Sequence, residues 1–343
     1  MNDPIFAKSE FRLCDVPVPK GYPQSQTHAG ICVYKGQYFL TCSPYPARPY
    51  PKIYNYFHGA LRRLRLASLL NQKNPDRFEN PLLYIGNIEK ECPPVSFKLQ
   101  YPSPLMDTPE QKENIHSFNS DPDIFIEDDK VYILNRSYFR VNNKESSTRR
   151  YVQIHLIEGL IKENKFDYKG NTLFIEAEKD IISPSMIKFN DKYLLAFLET
   201  NSAIDGKSFS GIYLSQSNSI AGLNDLSISK KIHLDAGNFL PWHMSLFQYK
   251  NCLYTIIACV RKGDTSHIYQ MLGKFNEDLT ALKIFNRPLT DYNSYRGSAC
   301  VLDDGRFILY TTTLDKVKGS YSVDGRDILV ASRSFEQILK DLC

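Results

Sequence analysis

The chain has 343 residues, 42% of them hydrophobic and 23% charged, enough for a substantial core and ordinary for a globular protein. A formal net charge of +4 is too small at this length to mark a nucleic-acid binder, and the densest basic run, Arg62, Arg63 and Arg65, alternates with Leu61, Leu64 and Leu66 as a strand with one solvated face would. No apolar run approaches a membrane span, no apolar h-region follows Met1, and none of the eight cysteines has a CxxC or zinc spacing, so a reduced, cytoplasmic protein without nucleic-acid or membrane partners is expected.

Aromatic usage, 22 Tyr and 20 Phe against one Trp, favours pleated, half-buried strands. In chain order, the first strand-like segment covers residues 10–16. Five hairpins of one pattern follow. Each opens on a polar residue, passes two small or Pro positions, runs apolar, turns, and runs apolar again. Their first strands are predicted at 28–34, 121–126, 183–189, 243–249 and 296–302. The openings lie 93, 62, 60 and 53 residues apart, and the last three intervals suit four-stranded blades. The excess in the first falls in the Pro-rich stretches 44–51 and 93–109, read as loop insertions. Third strands are expected at 64–68, 212–217 and 328–333, and a short helix at 334–342. Too little sequence follows Ser332 for a fourth strand, so segment 10–16 is expected to complete the last blade and remove an exposed edge. The predicted fold is all-β: one five-bladed β-propeller domain, residues 1–343.

In such a fold the first strand of every blade lines the axis. Equivalent openings therefore gather at one mouth, bringing together His28, Asp121, Ser183, His243 and Arg296. Strand capping would need only Ser or Thr there; two His, an Asp and an Arg are more than capping requires. Asp121 and Asp123 flank Pro122, a pairing also common at ordinary strand starts. Trp242 offers an indole face to a sugar ring or to the core. Tyr295 and Arg296 offer a phenol and a guanidinium fork suited to a carboxylate, sulfate or phosphate, unless Arg296 is spent on an ion pair with Asp121. Glu199, at the end of a second strand, supplies a further carboxylate. There is no GxGxxG, Walker loop, GxSxG or HExxH motif, and no cofactor or metal is expected.

Ser120-Asp121-Pro122-Asp123, Ile182-Ser183-Pro184-Ser185 and the Ala67-Ser68 and Ala331-Ser332 pairs give the chain a pattern that resembles the five-bladed glycoside hydrolases of the arabinanase, xylosidase and fructosidase type. The resemblance implies three acidic residues from blades one, two and three. Asp121 takes the blade-two place; His28 and Ile182 or Ser183 take the other two, and neither is acidic. The resemblance is thus to a divergent member, because glycoside hydrolysis ordinarily needs two carboxyl groups. Expected catalytic residues are Asp121, His28, His243 and Glu199; expected binding residues are Arg296, Trp242, Tyr295, Asp123 and Ser183. The ligand expected is a small molecule or oligosaccharide, polyhydroxylated or anionic. A non-catalytic glycan-binding propeller is the alternative. A metal held by His28, His243 and Asp121 ranks third, having no motif spacing behind it.

Overall fold

The computed structural model describes residues 3–22, 25–45, 79–86, 93–109, 115–142, 148–163, 165–200, 209–316 and 324–342. After β1 (Arg12–Leu13), a four-stranded antiparallel sheet holds β2 (Gln26–Tyr34), β3 (Gln37–Pro44), β4 (Leu82–Gly86) and β5 (Phe97–Leu99). A second holds β6 (Ile115–Glu127), β7 (Lys130–Asn142), β8 (Thr148–Lys162) and β9 (Lys165–Ala177). An eight-stranded sheet contains β10 (Asp180–Phe189), β11 (Lys192–Thr200), β12 (Phe209–Ser217) and β13 (Lys230–Asp235), then β14 (Phe239–Tyr249), β15 (Cys252–Arg261), β16 (Asp264–Phe275) and β17 (Ala281–Ile284). Its halves join where β13 runs parallel to β17, His233 opposite Ala281. The last sheet contains β18 (Ser294–Val301) and β19 (Arg306–Thr313). A small ribbon of β20 (Asp315–Lys316) and β21 (Asp324–Gly325) follows, and then β22 (Ile328–Ser334) returns to the sheet.

The hairpins form where the sequence supplies the turn. Lys35 and Gly36, Asp128 and Asp129, and Asn190 and Asp191 all have positive φ, the backbone of a two-residue turn whose twist matches its strands. Strands β2, β6, β10, β14 and β18 are each the edge of a sheet and touch one another in a closed ring, the arrangement of a β-propeller. Apolar side chains fill the wedges between neighbouring sheets. Leu194, Leu198, Ile257 and Met271 are fully buried in one such wedge, and each contributes about 1.5–3 kcal/mol relative to exposure.

The N-terminal segment completes the last sheet. Arg12 lies opposite Val330 and Leu13 opposite Leu329, so β1 is the outer strand beside β22. Phe6 is completely buried among Phe307, Phe335 and Phe247, and α1 (Phe335–Leu342) packs Phe335 and Ile338 into the same cluster. One strand assignment needs correction. The third strand of the first sheet is β4, Leu82–Gly86, rather than segment 64–68, which lies outside the described residues together with the basic run 62–65. The apolar alternation of 61–66 resembles a strand, but the run Leu82-Leu83-Tyr84 is more apolar and is buried throughout.

Candidate functional site

All five inner strands carry an irregularity at the same place. Pairing jumps between Thr27 and Gly30 in β2, Ser120 and Asp123 in β6, Ile182 and Ser185 in β10, Pro241 and His243 in β14, and Ser294 and Gly297 in β18. Each jump is a β-bulge, one extra residue that bends the strand and re-aims a side chain. In the first three the extra turn is taken by a residue in the left-handed region: His28 at φ 59°, Asp121 at 54° and Ser183 at 49°. His and Asp tolerate that region better than most residues, and such strain, of order 1–3 kcal/mol per residue, concentrates at functional sites. The polar residue followed by a small or Pro residue is the sequence form of this bulge. Pro122 and Pro184 sit where the ladder needs no donor. Gly30 is required for a different reason: a Cβ there would stand 2.9 Å from Thr41 Cγ2 and 3.1 Å from the Pro122 carbonyl of the next inner strand.

The bulges deliver a buried polar cluster at one mouth of the channel. Asp121 Oδ1 lies 3.4 Å from His28 Nε2, 3.2 Å from His243 Nδ1 and 3.8 Å from Arg296 Nη1. It makes no aligned hydrogen bond with any of them. Asp121 Oδ2 accepts from the Ser183 N–H at 3.3 Å and the Ser120 hydroxyl at 3.5 Å. Ser183 Oγ is 2.7 Å from His243 Nδ1. Ser183, His243 and Asp121 therefore share the residue types of a nucleophile–base–orienter triad without its geometry. Both contacts fall on Nδ1, whereas a triad uses opposite ring nitrogens. His28 Nδ1 and His243 Nε2 have no hydrogen-bond partner.

Electrostatics follow from burial. Burial drives His28 well below the usual imidazole range and lowers His243 too, outweighing the pull of Asp121 toward the cation. Burial alone would raise Asp121, but the two imidazole groups and Arg296 hold it well below the usual carboxylate range. Asp123 is raised, burial outweighing Arg296 and its donors Ser185, Met186 N–H and Ser245.

A cavity of about 150 Å³ opens over the cluster. His28, Asp121, His243, Trp242 and Tyr295 line it, with Tyr45, Phe118, Ser120, Ile182, Glu79, Arg136 and Arg326. It is smaller than the roughly 300 Å³ at which drug-sized sites begin, and suits one ring or substituent. Ser183 lies directly beneath, on His243. Asp123 is buried outside the lining, in a network with Ser185, Ser245 and Ser298.

Arg296 and Glu199, like Ser183 and Asp123, were expected at the site and are not among its lining residues. Arg296 does not line the cavity. It is 0% exposed, donates to the Pro122 carbonyl at 3.2 Å and pairs with Asp123 at 3.4 Å as well as with Asp121. Of the two residues at the β18 bulge, Tyr295 faces the cavity and Arg296 the channel, so the ion pair takes the guanidinium intended for a ligand. Glu199 is outside the lining. Its carboxylate pairs with Lys179 at 3.0 Å and accepts from Ser210, and Lys179 is itself largely exposed.

The repeat did not reveal Glu79, Arg136 or Arg326, because none belongs to a first strand. Arg136, on β7, donates to the Ile181 carbonyl, Ser120 Oγ and Asp180. The Arg326 guanidinium lies 3.6 Å from the Tyr45 ring centre and 4.2 Å from that of Tyr295, and donates to Thr27 Oγ1. A larger groove of about 610 Å³, lined by residues of β12, β13 and the β13–β14 connection, contains none of the convergent residues.

No protein-family model and no curated protein sequence matches the chain. Solved structures do. An N-acetylgalactosamine deacetylase from F. plautii, in complex with blood group B trisaccharide, superposes with a TM-score of 0.63 at 13% identity, over 96% of each chain. A xylan β-1,4-xylosidase from Bacillus halodurans matches with a TM-score of 0.61 at 12% identity, over 92% of this chain and 54% of its own. A GH43 enzyme from Xanthomonas citri complexed with xylotriose matches with a TM-score of 0.54 at 10% identity, over 93% and 90%. The chain thus has the fold of the β-propeller glycoside hydrolases and of a sugar deacetylase built on the same frame.

Proposed function

We propose that the chain is a single five-bladed propeller, residues 1–343, and a carbohydrate-active hydrolase whose site is the cavity at the channel mouth. On this reading the eight-stranded sheet is two blades fused at their outer strands. One observation carries the functional reading: five equivalent bulges bring His28, Asp121 and His243 under one cavity walled by Trp242, Tyr295, Tyr45 and Phe118. Aromatic faces with a polar floor are the complement of a sugar ring, which is apolar on its faces and polar at its rim. The fold of sugar-acting enzymes supports the same class of ligand. An anionic substituent would be met by Arg326 and Arg136, not by Arg296.

A non-catalytic binder is favoured by one specific feature. Asp121 is crowded by two imidazole groups and a guanidinium that hold its carboxyl well below the usual carboxylate range, the opposite of the raised carboxyl a general acid needs. Among the described residues, Glu79 is the other carboxylate in the lining. Calorimetric titration of a panel of monosaccharides, uronic acids and N-acetylated sugars, with a parallel product assay, separates the readings. Hydrolysis predicts that Asp121→Asn abolishes turnover while largely sparing binding, and that Trp242→Ala weakens binding about tenfold, in line with roughly 1.4 kcal/mol for a lost aromatic contact. Saturable binding without any product would establish the binder. No binding by any member of the panel would defeat both.

A further inference from the structure

The hydrolase reading leaves an oddity in its own floor. Asp121 Oδ1 is a buried carboxylate oxygen with no aligned hydrogen bond, although two imidazole nitrogens stand 3.2 and 3.4 Å away. A charge-assisted hydrogen bond at such a site would close to about 2.7–2.9 Å. The gap has another natural meaning. Ligand atoms bound to one ion at about 2.1 Å stand about 3.4 Å apart when the geometry is tetrahedral. One nitrogen from each histidine and one oxygen from Asp121 all lie within 4.8 Å of one another, so a contraction of at most about 1.4 Å at the widest separation closes them on a single ion.

We propose that His28, Asp121 and His243 bind one divalent transition-metal ion, with an open coordination position facing the cavity. The donor set decides the class of ion. Two imidazoles and one carboxylate suit zinc, iron, cobalt or manganese; calcium and magnesium prefer all-oxygen surroundings. Three protein ligands and a vacant position are the make-up of a reactive metal site rather than a structural one. The carboxylate is also held in the orientation a ligand needs, because the Ser183 N–H and the Ser120 hydroxyl engage Oδ2 and leave Oδ1 toward the histidines. The left-handed backbone at His28 and Asp121 turns both side chains to this point, which gives the strain of the bulges a use. Sequence spacing concealed the set because the three residues come from three different sheets.

The assignment deepens the hydrolase reading of the same cavity, so its test omits the glycan. The purified full chain is stripped with EDTA, dialysed, and titrated calorimetrically with ZnCl2 and, separately, with CaCl2. Cobalt(II) absorption on the wild type serves as a second probe that needs no variant. The expected result is one saturable zinc site, a visible cobalt spectrum of low coordination number displaced by zinc, and no comparable calcium site. Asp121→Asn and His243→Gln, checked for folding by circular dichroism, should each weaken zinc at least about 100-fold. Absence of a stoichiometric zinc site in the wild type, together with an octahedral aquo-like cobalt spectrum, would overturn the proposal. So would a folded Asp121→Asn variant that binds zinc as tightly as the wild type. Glycan binding that persists in EDTA would leave the carbohydrate reading standing whichever way the metal result falls.

Discussion

Replacing Arg296 by Met should cost the fold more than almost any other single change at the site. The guanidinium is fully buried between two buried carboxylates, 3.8 Å from Asp121 and 3.4 Å from Asp123, and also donates to the Pro122 carbonyl. At an effective dielectric of about 20 each attraction is roughly 4–5 kcal/mol before desolvation, which takes back several kcal/mol per ion. The net worth of the intact cluster is therefore small, but removal of its cation is not. Two buried carboxylates then lose their shared cation, and breaking a buried pair costs about 3–5 kcal/mol. At about 2 °C per kcal/mol, the shallow end appropriate to a long chain, the melting temperature should fall by roughly 6–10 °C. The assay is urea unfolding and thermal melting at pH 7 in EDTA, with Arg296→Met, Asp123→Asn and the double variant forming a cycle. The double variant should lose clearly less than the sum of the two singles, since the second change relieves a charge that the first exposes. Arg296→Met within 1 kcal/mol of the wild type, or a strictly additive cycle, would mean that Arg296 is not the counter-ion of these carboxylates.

Deleting residues 1–18 should expose the β22 edge and empty the Phe6 pocket, a loss of about 3–5 kcal/mol from the aromatic side chain alone, and light scattering should show aggregation. The buried thiols Cys14, pushed up to about 12 by desolvation, and Cys42 and Cys259, raised still further, should resist iodoacetamide at pH 8 until the chain is unfolded; rapid native labelling would contradict their burial. His155, on β8 away from the cavity, is lowered by burial alone. The unfolded chain therefore takes up its proton first, and stability conferred above an unfolded value near 6.5 is lost as pH falls below it. His155→Leu should flatten the stability profile between about pH 6.5 and 5; an unchanged slope would count against the assignment.

The parts of the fold that could be read in advance are those written locally. The five hairpins show because their turns need Gly, Asn, Asp or Lys between apolar runs, and because a bulge leaves a polar residue followed by a small or Pro residue. The pairing of β1 with β22 was legible from a shortage of strands after Ser332. The third strand of the first sheet was not, since the apolar alternation of 64–68 drew the assignment away from the more apolar run 82–86 that pairs with β3. At the site, His28, Asp121, His243, Trp242 and Tyr295 follow from equivalence in the repeat. The direction of a side chain at a bulge does not, which is why Arg296 was expected to meet a ligand and instead meets Asp121 and Asp123. Arg136 and Arg326 come from a second strand and a loop, where no periodicity marks them. The metal set is invisible in spacing because its ligands are 93 and 122 residues apart.

Whether the cavity over Asp121 is a sugar site is decided by a crystal structure of the protein soaked with a panel of monosaccharides, uronic acids and N-acetylated sugars. Sugar density is expected in that cavity, with a ring face against Trp242 or Tyr295 and no polar contact to Arg296. Density confined to the groove lined by Phe209, Lys231 and Lys262, with the cavity over Asp121 filled only by water, would place the ligand elsewhere and remove the basis for the proposed function.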